Sequence, residues 1–168
     1  MLVVGIGNIL LRDDGVGVHV VRALQAGPEM GPLPPGTRLV DGGTLGLDLL
    51  PMLEESGIAV LVDAVELGRE PGSIAVLEGD RLAGMLDRHF SPHQVGVADL
   101  LATARLTGRL PRRVALVAIQ PGEIAVGLGP TPAVRAAIPA AAEVVRDLLW
   151  ELRDRAVGGR PARPARDT

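Results

Sequence analysis

The stretch that decides the fold is Ile58-Ala59-Val60-Leu61-Val62-Asp63. Five consecutive aliphatic residues indicate a buried strand, and the strength of this run predicts that the strand is central. A carboxylate, Asp63, follows the run directly. Because a carboxylate at that place is costly to desolvate unless it is paired or bound to a metal ion, the end of this strand is a candidate functional site.

Predicted strands and helices alternate on both sides of this stretch. Short apolar runs predict strands, and apolar residues at helical spacing predict helices. The predicted strands cover residues 2–7, 37–41, 58–62, 73–77 and 113–119, and the predicted helices cover about 16–24, 45–55, 91–106 and 131–155. We expect Asp13 or Asp14 to cap the first helix, and Pro139 to kink or restart the last one.

This alternation indicates an α/β protein with a mostly parallel sheet. The short segment 73–77 follows a tight turn, which is compatible with an antiparallel strand. A length of 168 residues predicts one domain, which we place at residues 1–155. Residues 156–168, with their Gly-Gly and Arg-Pro pairs, are expected to form a disordered tail.

The composition excludes several kinds of chemistry. The chain has no Cys, which rules out disulfides, zinc–thiolate sites and cysteine catalysis. All 17 basic residues are Arg, so neither a Schiff-base lysine nor a P-loop lysine is present. A net charge of −3 without a basic run argues against nucleic acid as a partner. The absence of a basic signal-peptide start and of a long apolar run predicts a soluble cytoplasmic protein without membrane contact.

Polar residues collect where the predicted strands end. In open α/β sheets, ligands bind beyond the carboxyl ends of the strands. The residues at these ends are Asn8, Asp13, Asp14, Asp41, Asp63 and Gln120, and His93 starts the helix that follows residues 73–77. We therefore expect residues that are distant in sequence to meet at one rim of the sheet.

Two carboxylates and one imidazole from this set form a candidate metal site. His93 is predicted in the first turn of a helix, where the positive end of the helix dipole favours the neutral imidazole that a metal ion needs. With Asp63 and a second acid, it would suit a borderline ion such as Ni²⁺ or Zn²⁺. A capping or loop hydrogen bond for Asp63 and a packing role for His93 are the alternatives that position alone leaves open.

A dinucleotide-binding loop is a second interpretation of the N-terminus. Gly5-Ile6-Gly7 followed by Asp41 at the end of the next strand resembles the fingerprint of such loops. Leu10 stands where the third Gly is required, and two carboxylates at the helix start would repel a pyrophosphate. This pattern therefore gives only weak support to a nucleotide-binding oxidoreductase.

Five sequence blocks, in order, resemble the signatures of hydrogenase maturation endopeptidases. The blocks are Gly5-x-Gly7-Asn8-x-Leu10-x-x-Asp13-Asp14-Gly15-x-Gly17, Asp41-Gly42-Gly43-Thr44, Val62-Asp63-Ala64, Ser91-Pro92-His93-Gln94 and Ile119-Gln120-Pro121. The resemblance covers residues 2 to about 150. It implies a three-layer α/β/α sandwich around a five-stranded, mostly parallel twisted sheet of the phosphorylase/hydrolase-like type.

The resemblance also implies a function and a ligand set. Members of the family remove the C-terminal extension of the [NiFe] hydrogenase large-subunit precursor after nickel insertion, with nickel as the recognition signal. Carried over, the catalytic and metal-binding residues are Asp14, Asp63 and His93. The nickel is expected to arrive with the substrate, and zinc or cadmium to substitute for it. The substrate-binding residues are expected in block two, which comprises Asp41, Gly42, Gly43 and Thr44, and the chain is expected to be monomeric.

The residue inventory favours attack by water over an acyl-enzyme. No thiol exists, and none of the Ser residues lies in a Gly-x-Ser-x-Gly elbow. We expect the metal ion to polarise the scissile carbonyl or to activate the water, with Asp14 or Asp41 as general base. Three alternatives stay open: a non-catalytic nickel-binding assembly module, the nucleotide-binding oxidoreductase, and a peptidase of the same fold that acts on another protein.

Overall fold

A five-stranded sheet lies between two layers of helices in the computed structural model of the chain, which describes residues 1–27, 31–88 and 97–158. The strands are β1 (Leu2–Ile6), β2 (Arg38–Gly43), β3 (Ile58–Ala64), β4 (Ile74–Glu78) and β5 (Arg113–Ile119). The helices are α1 (Val16–Ala26), α2 (Leu50–Glu54), α3 (Gly79–Arg88), α4 (Val97–Leu106) and α5 (Pro132–Gly158), with 3₁₀ turns at Arg12–Gly15 and Gly46–Leu49. The predicted α/β sandwich with a five-stranded, mostly parallel sheet is therefore confirmed.

The strand order is β2-β1-β3-β5-β4, so β3 is the central strand, as predicted. The pairs β1–β2, β1–β3 and β3–β5 are parallel, whereas β4 pairs antiparallel with β5. The four parallel strands end at the same side of the sheet, which we call the carboxyl edge. The loops that follow β1, β2, β3 and β5 all leave the sheet there.

Alternating side chains of the strands build a core on each face of the sheet. Val60 and Val62 of β3 belong to the cluster formed with α1 and α5. Ala59 and Leu61 belong to the cluster formed with α2, α3 and α4. Full burial of one such Val or Leu side chain contributes roughly 1.5–3 kcal/mol, so burial on both faces fixes the register of β3 and the position of its last residues.

Helix α3 was absent from the sequence-based prediction. Its sequence contains two glycines and two aspartates, which have low helix propensity. Leu82 is nonetheless buried, and Met85 packs against the same core cluster at helical spacing. Tertiary packing of this narrow apolar stripe therefore outweighs the weak local preference.

The predicted helix 45–55 is divided in two. Gly46 has a φ of 54°, and the 3₁₀ turn Gly46–Leu49 precedes α2, in which Pro51 occupies the first turn. Proline fits the first turn of a helix because the N–H group that it lacks would be unbonded there anyway. Leu49 and Leu53 are buried in the core, and Leu50 is partly buried against it.

Helix α5 continues through Pro139, so the restart expected at this residue does not occur. Pro139 is exposed, and buried residues on both sides of it, including Val134 and Val145, hold the helix against the sheet. The helix extends to Gly158, which makes residues 156–158 helical, and the rest of the predicted tail lies outside the described residues. Across the ranges that the structure describes, no helix, α5 included, is long and apolar enough to cross a membrane.

Candidate active site

Asp14 and Asp63, two of the predicted site residues, lie together at the carboxyl edge. Asp63 stands near the end of β3, and Asp14 lies in the 3₁₀ turn that leads from β1 to α1. Backbone N–H groups donate to both carboxylates, from Asn8 to Oδ2 of Asp14 at 2.7 Å and from Ala64 to Oδ1 of Asp63 at 2.8 Å. The two acids are close enough for the charge of Asp14 to raise the pKa of Asp63.

Glycines permit the close approach between the segment that carries Asp14 and the end of β3. A methyl group on Gly17, in the first turn of α1, would overlap the carbonyl oxygen of Val62, the residue before Asp63. A methyl group on Gly7, whose φ is 123°, would overlap the carbonyl oxygen of Asp14. Because neither glycine carries a side chain, the start of α1 packs directly on the ends of β1 and β3.

The pKa of Asp63 is raised to about 8. Burial is the largest cause, the charge of Asp14 adds to it, and the hydrogen bond from the Ala64 N–H opposes both. Near pH 7 and without a cation, Asp63 is therefore mostly protonated. A divalent cation binds the carboxylate form, so its binding would release this proton and relieve the repulsion between the two acids.

The expected capping of α1 by Asp13 or Asp14 is wrong. The N-cap residue is Gly15, and no side chain caps the helix. Asp13 is instead completely buried and accepts four hydrogen bonds across the carboxyl edge. Its partners are the Gly122 N–H at 2.8 Å, the Glu123 N–H at 2.9 Å, the Thr131 N–H at 2.6 Å and the Thr131 hydroxyl at 2.8 Å.

The hydrogen bonds to Asp13 favour its ionised form. Burial raises the pKa of Asp13, but the hydrogen bonds from Glu123, Thr131 and Gly122 outweigh burial and hold the pKa below its usual value. A charged acceptor forms stronger hydrogen bonds than a neutral one. The Asp13 carboxylate thus ties the loop after β1 to the loop after β5.

The second block, Asp41 to Thr44, also lies at the carboxyl edge, but away from Asp63. Strand β1 separates β2 from β3, which puts Asp41 about 10 Å from Asp63 at the usual strand spacing. Arg22 forms a salt bridge with Asp41 at 2.8 Å on the exposed surface. The Gly7 N–H donates to the Gly43 carbonyl at 2.9 Å, which joins the ends of β1 and β2.

Within the same block, Gly42 is buried and Thr44 is exposed. A methyl group on Gly42 would press on the side chain of Val4, so this glycine permits close packing of β2 on the core. The Thr44 hydroxyl is accessible at the edge. The substrate-binding role expected for this block stays a prediction.

His93 lies outside the described residues, together with the rest of the block Ser91-Pro92-His93-Gln94. The chain returns to the described part at Val97, the first residue of α4. Just after α4, Arg109 forms a salt bridge with Glu54, which lies near the amino end of β3, so α4 starts at the carboxyl edge and ends at the opposite one. Three residues separate Val97 from His93, and the shared site of His93 with Asp14 and Asp63 stays a prediction.

Comparison with known proteins identifies the family. A profile described as HycI, hydrogenase maturation protease, matches residues 18–148. The chain belongs to the hydrogenase maturation protease family. Its class as an endopeptidase, inferred from the five sequence blocks, is thereby confirmed.

Curated relatives and solved structures agree with this assignment. This maturation protease is 36% identical over 152 residues to the hydrogenase 2 maturation protease of Escherichia coli K12, covering 90% of this chain and 91% of the relative. It is 42% identical over 151 residues to the hydrogenase expression/formation protein HupD of Rhodobacter capsulatus, covering 88% and 70%. The structure of the E. coli endopeptidase HybD superposes with a TM-score of 0.79 at 36% identity, covering 90% and 92%.

In this maturation protease, the sequence Gly5-Ile6-Gly7 at the end of β1 permits close packing between backbone segments. A methyl group on Gly5 would overlap the carbonyl oxygen of Gly17 in α1. The family assignment replaces the oxidoreductase alternative.

Gln120 was predicted at the rim of the sheet, and its contacts show that it holds the loop after β3. Its Oε1 accepts from the Leu67 N–H at 2.7 Å and from the Arg69 N–H at 3.3 Å, and its Nε2 donates to Glu66 at 3.0 Å. Sequence reasoning missed this role and that of Asp13. A buried amide or carboxylate that serves several backbone N–H groups leaves no local spacing pattern to detect.

Proposed function

We propose that this maturation protease removes the C-terminal extension of a [NiFe] hydrogenase large-subunit precursor and recognises the nickel ion that the precursor carries. The family assignment and the names of the relatives support the hydrogenase as substrate. The observation that carries the nickel part is the pair of adjacent carboxylates, Asp14 and Asp63, at the carboxyl edge. The expectations of a monomer that acts in the cytoplasm belong to this proposal.

The donor set fits a borderline divalent ion. Asp14 and Asp63 would supply oxygen ligands and His93 a nitrogen ligand, with a coordination position left open. Ionisation of both acids is unfavourable in the absence of a cation, and a cation that enters between them would stabilise both carboxylates. Zinc or cadmium would occupy the same ligands in experiments without nickel.

The residues of the chain support attack by a water molecule on the scissile amide. Ser56 is buried and donates its hydroxyl to the Met52 carbonyl at 2.9 Å, so it does not act as a nucleophile. Arg22 holds the carboxylate of Asp41 in a salt bridge, which makes Asp14 the better placed general base. The bound nickel ion supplies orientation of the precursor and polarisation of the amide carbonyl.

Incubation of the protease with nickel-loaded precursor tests this function. We expect the wild-type protein to shorten the precursor by its C-terminal tail, as measured by mass spectrometry. His93→Ala should reduce the rate by at least about 100-fold, because the loss of a direct ligand exceeds the 10–100-fold cost of losing an outer-shell partner. The variant should keep the thermal stability of the wild type.

His19→Gln is the matched control, since His19 lies on α1 with a half-buried ring and is no part of the proposed site. This control should cleave at the wild-type rate. An intact tail after incubation with wild-type protein would identify a nickel carrier. Equal cleavage of nickel-free precursor would contradict nickel recognition.

A further inference from the structure

The loop after β5 presents aliphatic side chains to solvent beside the candidate active site. Ile124, Val126 and Leu128 are 50%, 88% and 82% exposed, and Leu10 in the loop after β1 is 57% exposed. We call these four side chains the apolar wall. We propose that the apolar wall is the surface on which the polypeptide of the precursor docks next to its scissile bond. This inference rests on the proposed function.

Hydrogen bonds make the wall continuous with the loop that carries Asp14. The Gly127 N–H donates to the Leu10 carbonyl at 2.9 Å, and the Arg12 N–H donates to the Gly127 carbonyl at 3.2 Å. Asp14 follows Arg12 by two residues. A peptide chain that reaches Asp14 therefore comes within reach of the wall.

The charge of the wall region favours an apolar occupant. Arg12 and Glu123 flank the wall and form a salt bridge with each other at 3.3 Å. Their mutual pairing leaves a surface without net charge between them. An apolar segment of a protein substrate gains free energy by covering the aliphatic side chains of this surface.

The backbone of the wall offers hydrogen bonds as well. Gly127 uses both its N–H and its carbonyl within the chain. In the part of the chain that the structure describes, the N–H groups of Val126 and Leu128 have no partner. Substrate peptides commonly bind through main-chain hydrogen bonds combined with contacts of their side chains, and this segment provides both.

Asp13 is the positioning residue of the wall. Its buried carboxylate binds the segment at its start, through Gly122 and Glu123, and at its end, through Thr131. A segment that contains Gly127 and Gly129 would otherwise lose much conformational entropy when a peptide docks. Anchoring at both ends reduces this loss and so strengthens binding.

A double variant, Val126→Ser with Leu128→Ser, tests the wall directly. We expect the KM for the nickel-loaded precursor to rise by about 10-fold or more, which is the effect of losing well-packed apolar anchors, while kcat changes less than about twofold. The Kd for the precursor, measured by surface plasmon resonance, should rise by the same factor. Thermal unfolding should be unchanged because both side chains are exposed.

The matched control is Leu106→Ser with Val157→Ser, which removes two side chains of 88% and 84% exposure that lie outside the wall. This control should keep the wild-type KM and Kd. The proposal is overturned if the wall variant binds the precursor as tightly as the control does. If wild-type protein binds the precursor through the wall but leaves its tail intact, the proposed function fails and the docking surface stands.

Asp13→Asn tests the positioning role. The amide nitrogen of Asn would face N–H donors, so the anchors at Gly122 and Thr131 should weaken. We expect faster amide hydrogen exchange at residues 123–129 and a KM that rises in the same direction as in the wall variant. Unchanged exchange in this segment would show that Asp13 does not position the wall.

Discussion

Asp63→Asn is expected to stabilise the metal-free protein near pH 8 and to abolish processing of the precursor. The folded-state pKa of Asp63 is raised to about 8 from an ordinary value of 3.8, so between these values the folded state holds a proton that the unfolded state has released. The free energy of unfolding of the wild type therefore falls as pH rises from about 4 to about 8. Asn is neutral throughout and removes this dependence.

The expected gain is on the order of 3–5 kcal/mol near pH 8 and vanishes near pH 4, since each pKa unit corresponds to about 1.4 kcal/mol. Urea unfolding of both proteins at several pH values, with a chelator present, measures this difference in the free energy of unfolding. Asp48→Asn, at an exposed acid, should show no such pattern. Addition of Ni²⁺ should stabilise the wild type alone and so make it more stable than Asp63→Asn. A parallel pH dependence in wild type and Asp63→Asn would contradict the account.

Gly17→Ala is expected to destabilise the fold and weaken the site. Alanine is a better helix former than glycine by about 1 kcal/mol, so local propensity alone predicts a gain. The new methyl group would overlap the Val62 carbonyl oxygen and approach the Ile6 nitrogen to 2.8 Å, and both neighbours are backbone atoms that cannot rotate away. We expect a net loss of about 3 kcal/mol in the free energy of unfolding.

The displaced start of α1 should carry Asp14 away from Asp63, so Cd²⁺ affinity measured by calorimetry should fall at least about 10-fold. Gly57→Ala is the control, because Gly57 lies before β3 with no atom within 4 Å of the added methyl group. This control should keep both stability and affinity. Wild-type Cd²⁺ affinity in Gly17→Ala would show that this close approach does not set the geometry of the site.

The strands of the sheet were predicted well because short, continuous aliphatic runs indicate buried strands. The runs at β3 and β5 are long and purely apolar, and both strands were predicted within two residues of their bounds. Helix α3 was missed because, among its side chains that the structure describes, Leu82 and Met85 alone join the core cluster. The continuity of α5 at Pro139 depends on packing at both of its ends, which no local pattern reveals.

Those residues of the candidate site that lie at the ends of strands could be predicted from the sequence. The strands β1 and β3 are parallel and end at the same edge, and this rule alone places Asp14 near Asp63. The role of Asp13 was not predictable, because its partners lie 109 to 118 residues away in sequence. The apolar wall was hidden for a related reason, since exposure of Val126 and Leu128 depends on the folded course of the loop.

Two features of the fold serve the same site: a pair of acids at the end of the central strand, and a glycine-dependent contact between α1 and that strand. The paired acids cost stability in the metal-free protein, and the glycine contact brings Asp14 close to Asp63. Natural proteins tolerate such local costs where function requires them. The pair is thus expected to be most stable when a cation lies between its members.

Anomalous X-ray scattering from a crystal soaked with nickel or zinc tests the metal site most directly. The account predicts one strong peak, with a carboxylate oxygen of Asp14, a carboxylate oxygen of Asp63 and an imidazole nitrogen of His93 each at about 2.0–2.2 Å. A peak bound elsewhere, or side chains of these three residues too far apart to share one ion, would contradict it.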